Sequence, residues 1–175
     1  MPESCLIADI GTGCGAIAVV LAVNLPQARI YATDISVSAL DVARGNCQHH
    51  NVSDRVTLLH GDMLDPLPEP VHLIVANLPY ITESELTGLP PEISIFEPQL
   101  AFAGGKDGLQ QIERLLSQTR RRLLGGGTVL LEIGYEQGQA VCEMATKYLP
   151  GARVGITTDL SGLDRVVSIF NWQTN

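Results

Sequence analysis

Short β-rich apolar runs alternate with stretches of helical periodicity along most of the chain, and this alternation leaves few folds open. A strand pairs in parallel with its successor only through a crossover connection. Repetition of strand and helix therefore predicts a mostly parallel sheet with helices on both faces. The first strand is read over residues 5–10, the second over 29–33, the third over 56–59 and the fourth over 71–76. Helices are expected over 16–24 and 38–50, the second with Leu40, Ala43 and Cys47 along one side. A Pro-, Gly- and Glu-rich stretch then runs from Leu78 to Asp107, a length that in a compact domain is usually functional. A helix is expected over 109–124, followed by a turn at Gly125, Gly126 and Gly127. A strand over 128–133, a helix over 137–148 and strands over 153–157 and 165–170 close the pattern.

Composition narrows the partners. A length of 175 residues supports one domain with a sizeable core. The net charge of −8 argues against a general affinity for nucleic acid, which needs clustered Lys and Arg. The one basic run, Arg120-Arg121-Arg122, spreads around a helix and reads as a solvated face. Cys5, Cys14, Cys47 and Cys142 fall in no paired spacing, and His49, His50, His60 and His72 in no metal-ligand spacing, so no metal site is expected. The sequon Asn51-Val52-Ser53 reads as chance. No signal peptide is expected, and the longest apolar run, 16–23, is too short to span a bilayer. The expectation is a cytoplasmic domain without membrane association.

The segment Asp9-Ile10-Gly11-Thr12-Gly13-Cys14-Gly15 sits where the first strand turns into a helix. Glycines there let the backbone approach a ligand and adopt dihedrals closed to other residues. Alone the segment is ambiguous, because Gly11, Gly13 and Ala16 also satisfy the dinucleotide pattern G-x-G-x-x-A. Asp9 ahead of the glycines suits a cationic ligand better than a pyrophosphate, and favours the ammonium of S-adenosyl-L-methionine. Asp34, ending the second strand, stands where an acid accepts hydrogen bonds from ribose hydroxyls. Asp62 and Met63 follow the third strand, placed for the adenine amino group and ring. Each also has a plainer reading, the Asp as a helix cap and the Met as core.

The fourth strand ends in Asn77-Leu78-Pro79-Tyr80. A planar amide nitrogen is a poor nucleophile, since its lone pair is delocalised into the carbonyl. It attacks a sulfonium methyl group only when held in line with its hydrogens engaged. The Asn77 side-chain oxygen and the Leu78 carbonyl offer acceptors, Tyr80 a stacking face, and Pro79 a stiff turn without an N–H. Positioning of this kind supplies on the order of 7–11 kcal/mol in favourable systems. Asn and Pro are also ordinary turn residues, and it is the upstream glycine turn that favours catalysis.

On these residues the chain resembles the catalytic domain of the HemK/PrmC protein methyltransferases. They transfer a methyl group from S-adenosyl-L-methionine to the glutamine of the Gly-Gly-Gln motif in peptide chain release factors. The likeness runs from about Ile7 to Phe170 and includes Glu97-Pro98, Ala103-Gly104-Gly105-Lys106-Asp107-Gly108, Glu132-Ile133-Gly134 with Gln137, and Asp159-Leu160-Ser161-Gly162 with Arg165. It implies that Gly11, Thr12, Gly13, Cys14 and Gly15 form the cofactor loop, that Asp34 binds the ribose, and that Met63 contacts the adenine. Asn77 and Tyr80 match the ends of the family's Asn-Pro-Pro-Tyr motif, and Asn77 is expected to contact the cofactor as well as the substrate. Leu78 stands in place of its first Pro, keeping the carbonyl but adding an N–H and slack. Gly104, Gly105 and Gly108 also read as a tight turn with Asp107 capping the next helix, and Glu132 and Arg165 as scaffold charges.

The expected fold is thus a Rossmann-like class I S-adenosyl-L-methionine-dependent methyltransferase. Its seven-stranded sheet is mostly parallel, with the last strand antiparallel and helices on both faces. Residues 1–175 are read as a single catalytic domain, without the N-terminal helical domain that docks the release factor in bacterial members. The expected activity is N5-methylation of a protein glutamine. The alternatives are methylation of an exocyclic amino group on a nucleic acid base, a cofactor-binding fragment without turnover, and, more remotely, a nicotinamide-dependent dehydrogenase.

Overall fold

The computed structural model describes residues 5–80 and 107–170. The elements are β1 (Cys5–Ile10), α1 (Ala16–Asn24), β2 (Ala28–Asp34), α2 (Val37–His49), β3 (Val56–His60), β4 (Val71–Asn77), α3 (Gln110–Arg122), β5 (Leu123–Glu132), α4 (Gly138–Tyr148), β6 (Arg153–Thr158) and β7 (Asp164–Phe170). They form one seven-stranded sheet in the order β3-β2-β1-β4-β5-β7-β6. Strands β1 to β5 pair in parallel, and β7 runs antiparallel to both β5 and β6. From β1 the chain steps outward through β2 to β3, then crosses to the other side of β1 for β4. Such a reversal opens a crevice at the carboxyl ends of the two diverging strands, here β1 and β4.

Alternation along β1 divides the core. Ile7 packs with Ala18, Val19 and Ala22 of α1 and Cys47 of α2, whereas Ala8 and Ile10 join Ile112, Leu115 and Leu116 of α3 and Val141 and Ala145 of α4. Strands covered on both faces are apolar almost throughout, which is why these read as runs and not as alternating patterns. On α2, Leu40, Ala43 and Cys47 are buried as their spacing predicts. Ser36, accepting from the Ala39 N–H at 3.2 Å, sets that helix's start.

Strand β5 departs from expectation. It starts at Leu123 and includes the three glycines read as a turn. Val71 pairs with Leu123 while Leu73 already pairs with Thr128, so the glycines bulge between two paired stretches. Gly126 takes φ +78°, and a Cβ on Gly127 would lie 2.9 Å from the His72 carbonyl. Helix α3 accordingly stops at Arg122, with three arginines in the last turn beside the helix's negative end. Asp107 accepts from the Leu109 N–H at 3.1 Å, forming the turn that enters α3. The matched residues Glu97, Pro98, Ala103, Gly104, Gly105 and Lys106 lie outside the described residues. Among the described residues, no helix is long and apolar enough to cross a membrane.

Candidate active site

The carboxyl ends of the central strands share one rim, where Ile10 pairs with Thr33 and Ala76, Asp34 with His60, and Asn77 with Glu132. The sequence-predicted residues gather along this rim. In the turn after β1, Gly11, Gly13 and Gly15 all adopt the left-handed conformation, with φ of +65°, +56° and +80°. Two are also held by packing. A Cβ on Gly15 would lie 3.0 Å from the Ala43 Cβ, and one on Gly11 would lie 3.0 Å from Leu78 Cδ2. Among the described residues, a Cβ on Gly13 would meet nothing within 4 Å.

Asp9 lies beneath this turn, 1% exposed. Its Oδ2 accepts from the Thr12 hydroxyl at 2.6 Å and from the Ala18 N–H at 3.1 Å. It thereby caps α1, whose own N-cap, Gly15, has no side chain to do so. Its Oδ1 is buried without a hydrogen-bond partner among the described residues. Burial is the main cause that pushes the Asp9 carboxyl up to about 6, against the lowering effect of the two hydrogen bonds.

Asp34 braces the turn from β2. Its Oδ2 accepts from the Gly13 N–H at 2.9 Å and its Oδ1 from the Ser36 N–H at 2.8 Å. The Thr12 N–H donates to the Thr33 carbonyl at 2.9 Å. A third brace, Asn46 Nδ2 on the Cys14 carbonyl at 2.8 Å, escaped the sequence reading. Its one signal was a short polar side chain three positions beyond Ala43, on the helix side facing the turn. Cys14 itself is exposed.

Beyond β3 the two adenine candidates part. Met63 is buried in the main core with φ +48°, and its carbonyl accepts from the Thr33 hydroxyl at 2.9 Å. Asp62 is half-exposed and ion-paired with Arg114 of α3. No sequence pattern links these two residues.

On the far side of the crevice Asn77 is exposed, Leu78 buried, and Pro79 and Tyr80 half-buried. Leu78, at the matched Pro position, packs its side chain against Gly11. The Tyr80 hydroxyl lies 3.5 Å from Glu132 Oε1, and the Tyr80 carbonyl accepts from Gln137 Nε2 at 3.1 Å. Arg165 donates to the Ile133 carbonyl at 3.2 Å and pairs with Asp159 at 3.2 Å, bracing the β6–β7 turn against the end of β5. The Asp159 carboxyl falls below its ordinary value, chiefly because the Leu163 N–H donates to it, with Arg165 adding to the effect. This makes Arg165 a scaffold charge, one of its two sequence readings.

Residues 2–89, half of the chain, match the methyltransferase small domain family. The chain belongs to this family. The methyltransferase domain is 47% identical over 164 residues to the release factor glutamine methyltransferase of Moorella thermoacetica, covering 93% of the chain and 58% of that protein. It is 36% identical over 167 residues to the release factor glutamine methyltransferase of Gloeobacter violaceus, covering 95% of the chain and again 58% of that protein. The chain therefore spans a little over half the length of these curated relatives. A methyltransferase from Pyrococcus furiosus shares the fold, with a TM-score of 0.71 at 19% identity over 97% of the chain and 76% of that structure. These findings bear out the motif-based resemblance and the α/β methyltransferase class.

Proposed function

We propose that residues 1–175 act as a single catalytic domain, methylating the side-chain amide N5 of the glutamine in a release factor's Gly-Gly-Gln motif, in the cytoplasm where translation ends. The observation that carries this reading is the seating of Asn77-Leu78-Pro79-Tyr80 directly beside the glycine turn, with Leu78 against Gly11. A cofactor bound at the turn and an amide held at Asn77 would be neighbours across one strand pair.

The residues present fit S-adenosyl-L-methionine. Asp9 Oδ1, without a partner among the described residues, matches an ammonium group, and the space those residues leave open at Gly13 admits a ligand against bare backbone. Asp34 would take ribose hydroxyls on lone pairs not used by Gly13 and Ser36. Asp62 and Met63 would flank the adenine. Thr12, Cys14 and Gly15 complete the loop. When bound, the cofactor supplies an electrophilic methyl group on a sulfonium. Asn77 Oδ1 and the Leu78 carbonyl would each accept an amide N–H, fixing the nitrogen in line, while Tyr80 stacks on the amide plane. The amide gains the methyl and loses one hydrogen as a proton to solvent.

The test is methyl transfer from labelled cofactor to an unmodified bacterial-type release factor, with the product peptides read by tandem mass spectrometry. The expected product is one methyl on the Gly-Gly-Gln glutamine. Cofactor binding without transfer to any glutamine would sink the reading. Label in RNA or DNA would move the activity to the exocyclic-amino class.

A further inference from the structure

Gln137 is part of a matched motif, yet neither cofactor binding nor amide orientation gives it a role. Its carboxamide is engaged at both ends. Oε1 accepts from the Gly134 N–H at 2.9 Å, and Nε2 donates to the carbonyls of Tyr80 at 3.1 Å and Asp107 at 3.4 Å. One side chain thus ties the end of β4 and the entry to α3 to the turn between β5 and α4. The partners also fix which way the amide faces, because a backbone N–H needs the oxygen and two carbonyls need the nitrogen.

Two glycines close the site around it. A Cβ on Gly108, at φ +70°, would lie 2.1 Å from the Tyr80 carbonyl oxygen and 2.5 Å from Gln137 Nε2. A Cβ on Gly134 would lie 3.2 Å from Gln137 Oε1 and 3.5 Å from the Tyr80 ring. The Tyr80 carbonyl is therefore enclosed by the Gln137 amide on one side and bare backbone on the other. No other residue type supplies this pair of bonds at this reach. Glu would set a carboxylate against two carbonyls, and Asn is one methylene short.

From this geometry we propose that Gln137 is the positioning residue of the methyl-acceptor site. It anchors the Tyr80 end of Asn77–Tyr80 as the β4 ladder anchors the Asn77 end. The inference rests on the proposed role of that tetrapeptide in holding the substrate amide. The anchor matters more here than with two prolines, because Leu78 leaves the turn one rotatable φ that Pro would lock. Gln137 touches neither reactant, so its loss acts on turnover and not on cofactor binding.

The experiment uses the full chain with Gln137→Met, which keeps shape and removes all three bonds, and Gln137→Glu, which keeps the acceptor for Gly134 alone. Both variants are expected to lose at least tenfold in kcat on a glutamine substrate, with cofactor Kd within twofold of the parent. Hydrogen exchange over residues 77–80 and 107–109, measured without substrate, is expected to rise in both. A kcat within twofold of the parent, or unchanged exchange, overturns the proposal, as does loss of cofactor binding in parallel with kcat. If the parent methylates no glutamine, the functional reading fails by itself, and exchange alone decides whether Gln137 holds Tyr80.

Discussion

The turn after β1 and the turn after β4 stand side by side on one rim, and opposite kinds of bond hold them. Side chains from three elements grip the first: Asp9 from β1, Asp34 from β2 and Asn46 from α2. Two of the three are carboxylates, and one of those is buried. A neutral carboxamide and two close-packed glycines grip the backbone of the second, and its one carboxylate contact among the described residues is the long one from the Tyr80 hydroxyl to Glu132. A turn that receives a cationic ligand gains from fixed negative charge, even at the cost of burying it. A turn that handles a neutral amide, as proposed for the second, depends more on dipoles in fixed places than on net charge. Charge changes should therefore disturb the first turn, and small displacements the second.

The largest effect is expected at the second turn. If Asn77 accepts from the substrate amide as proposed, Asn77→Ala should lower kcat about 100-fold, as loss of one preorganised polar contact commonly does. Cofactor affinity should stay within about twofold, because the turn after β1, the proposed cofactor site, has its own braces. Equal kcat for variant and parent, read by mass spectrometry on the methylated peptide, would remove Asn77 from catalysis.

Next come the glycines of the first turn, where strain and packing separate. Gly15→Ala forces a left-handed alanine against the Ala43 Cβ at 3.0 Å. Left-handed strain and overpacking together should cost about 2–4 kcal/mol. Gly13→Ala carries the strain alone, since its Cβ meets nothing, and should cost about 1–2 kcal/mol. Denaturant melts of the two variants without cofactor give both values. A Gly13 variant as unstable as the Gly15 one would mean that packing at Ala43 is not what Gly15 protects.

What the sequence revealed of these turns follows from how local their signals are. Glycine spacing after an apolar run is a local pattern, so the first turn, the neighbouring strands and the buried side of α2 were all readable. Asp9 was read as a ligand group, but its capping of Ala18 depends on the β1–α1 approach angle, which no local pattern encodes. The glycine bulge in β5 was read as a turn because bulge and turn demand the same residue, and only the pairing with β4 tells them apart. Asn46 and Arg114 act across 32 and 52 residues of chain, and a local pattern can place such a side chain on a helix face but does not name its partner.

A smaller effect, with a defined pH window, belongs to Asp9. Its carboxyl is raised by burial from 3.8 to about 6, so between those values the folded protein holds a proton that the unfolded chain has released. Stability contributed by this group is therefore present at low pH and lost as pH rises to about 6, a fall on the order of 3 kcal/mol. Asp9→Asn keeps an oxygen for Thr12 and Ala18 and has no charge to bury, so its stability should lack this slope. The same variant should bind the cofactor more weakly above pH 6, where the parent carboxylate is charged. A stability profile that keeps the slope in Asp9→Asn would assign it to another group.

The smallest effect tests whether the first turn's use of charge extends to Asp62. Asp62 and Arg114 form a half-exposed ion pair, and pairs of that kind contribute at most about 1 kcal/mol to stability. Stability therefore cannot reveal what Asp62 is for, but cofactor affinity can. If Asp62 accepts from the adenine amino group, Asp62→Ala should weaken cofactor binding about fivefold, since a net hydrogen bond is worth about 1 kcal/mol. Arg114→Ala leaves that acceptor in place and should change affinity less than twofold. If Asp62 is only the partner of Arg114, both variants should leave affinity unchanged, and isothermal titration with the cofactor product separates the two outcomes. Equal losses in both would mean that the pair acts as one unit, with Arg114 orienting the carboxylate that the cofactor meets.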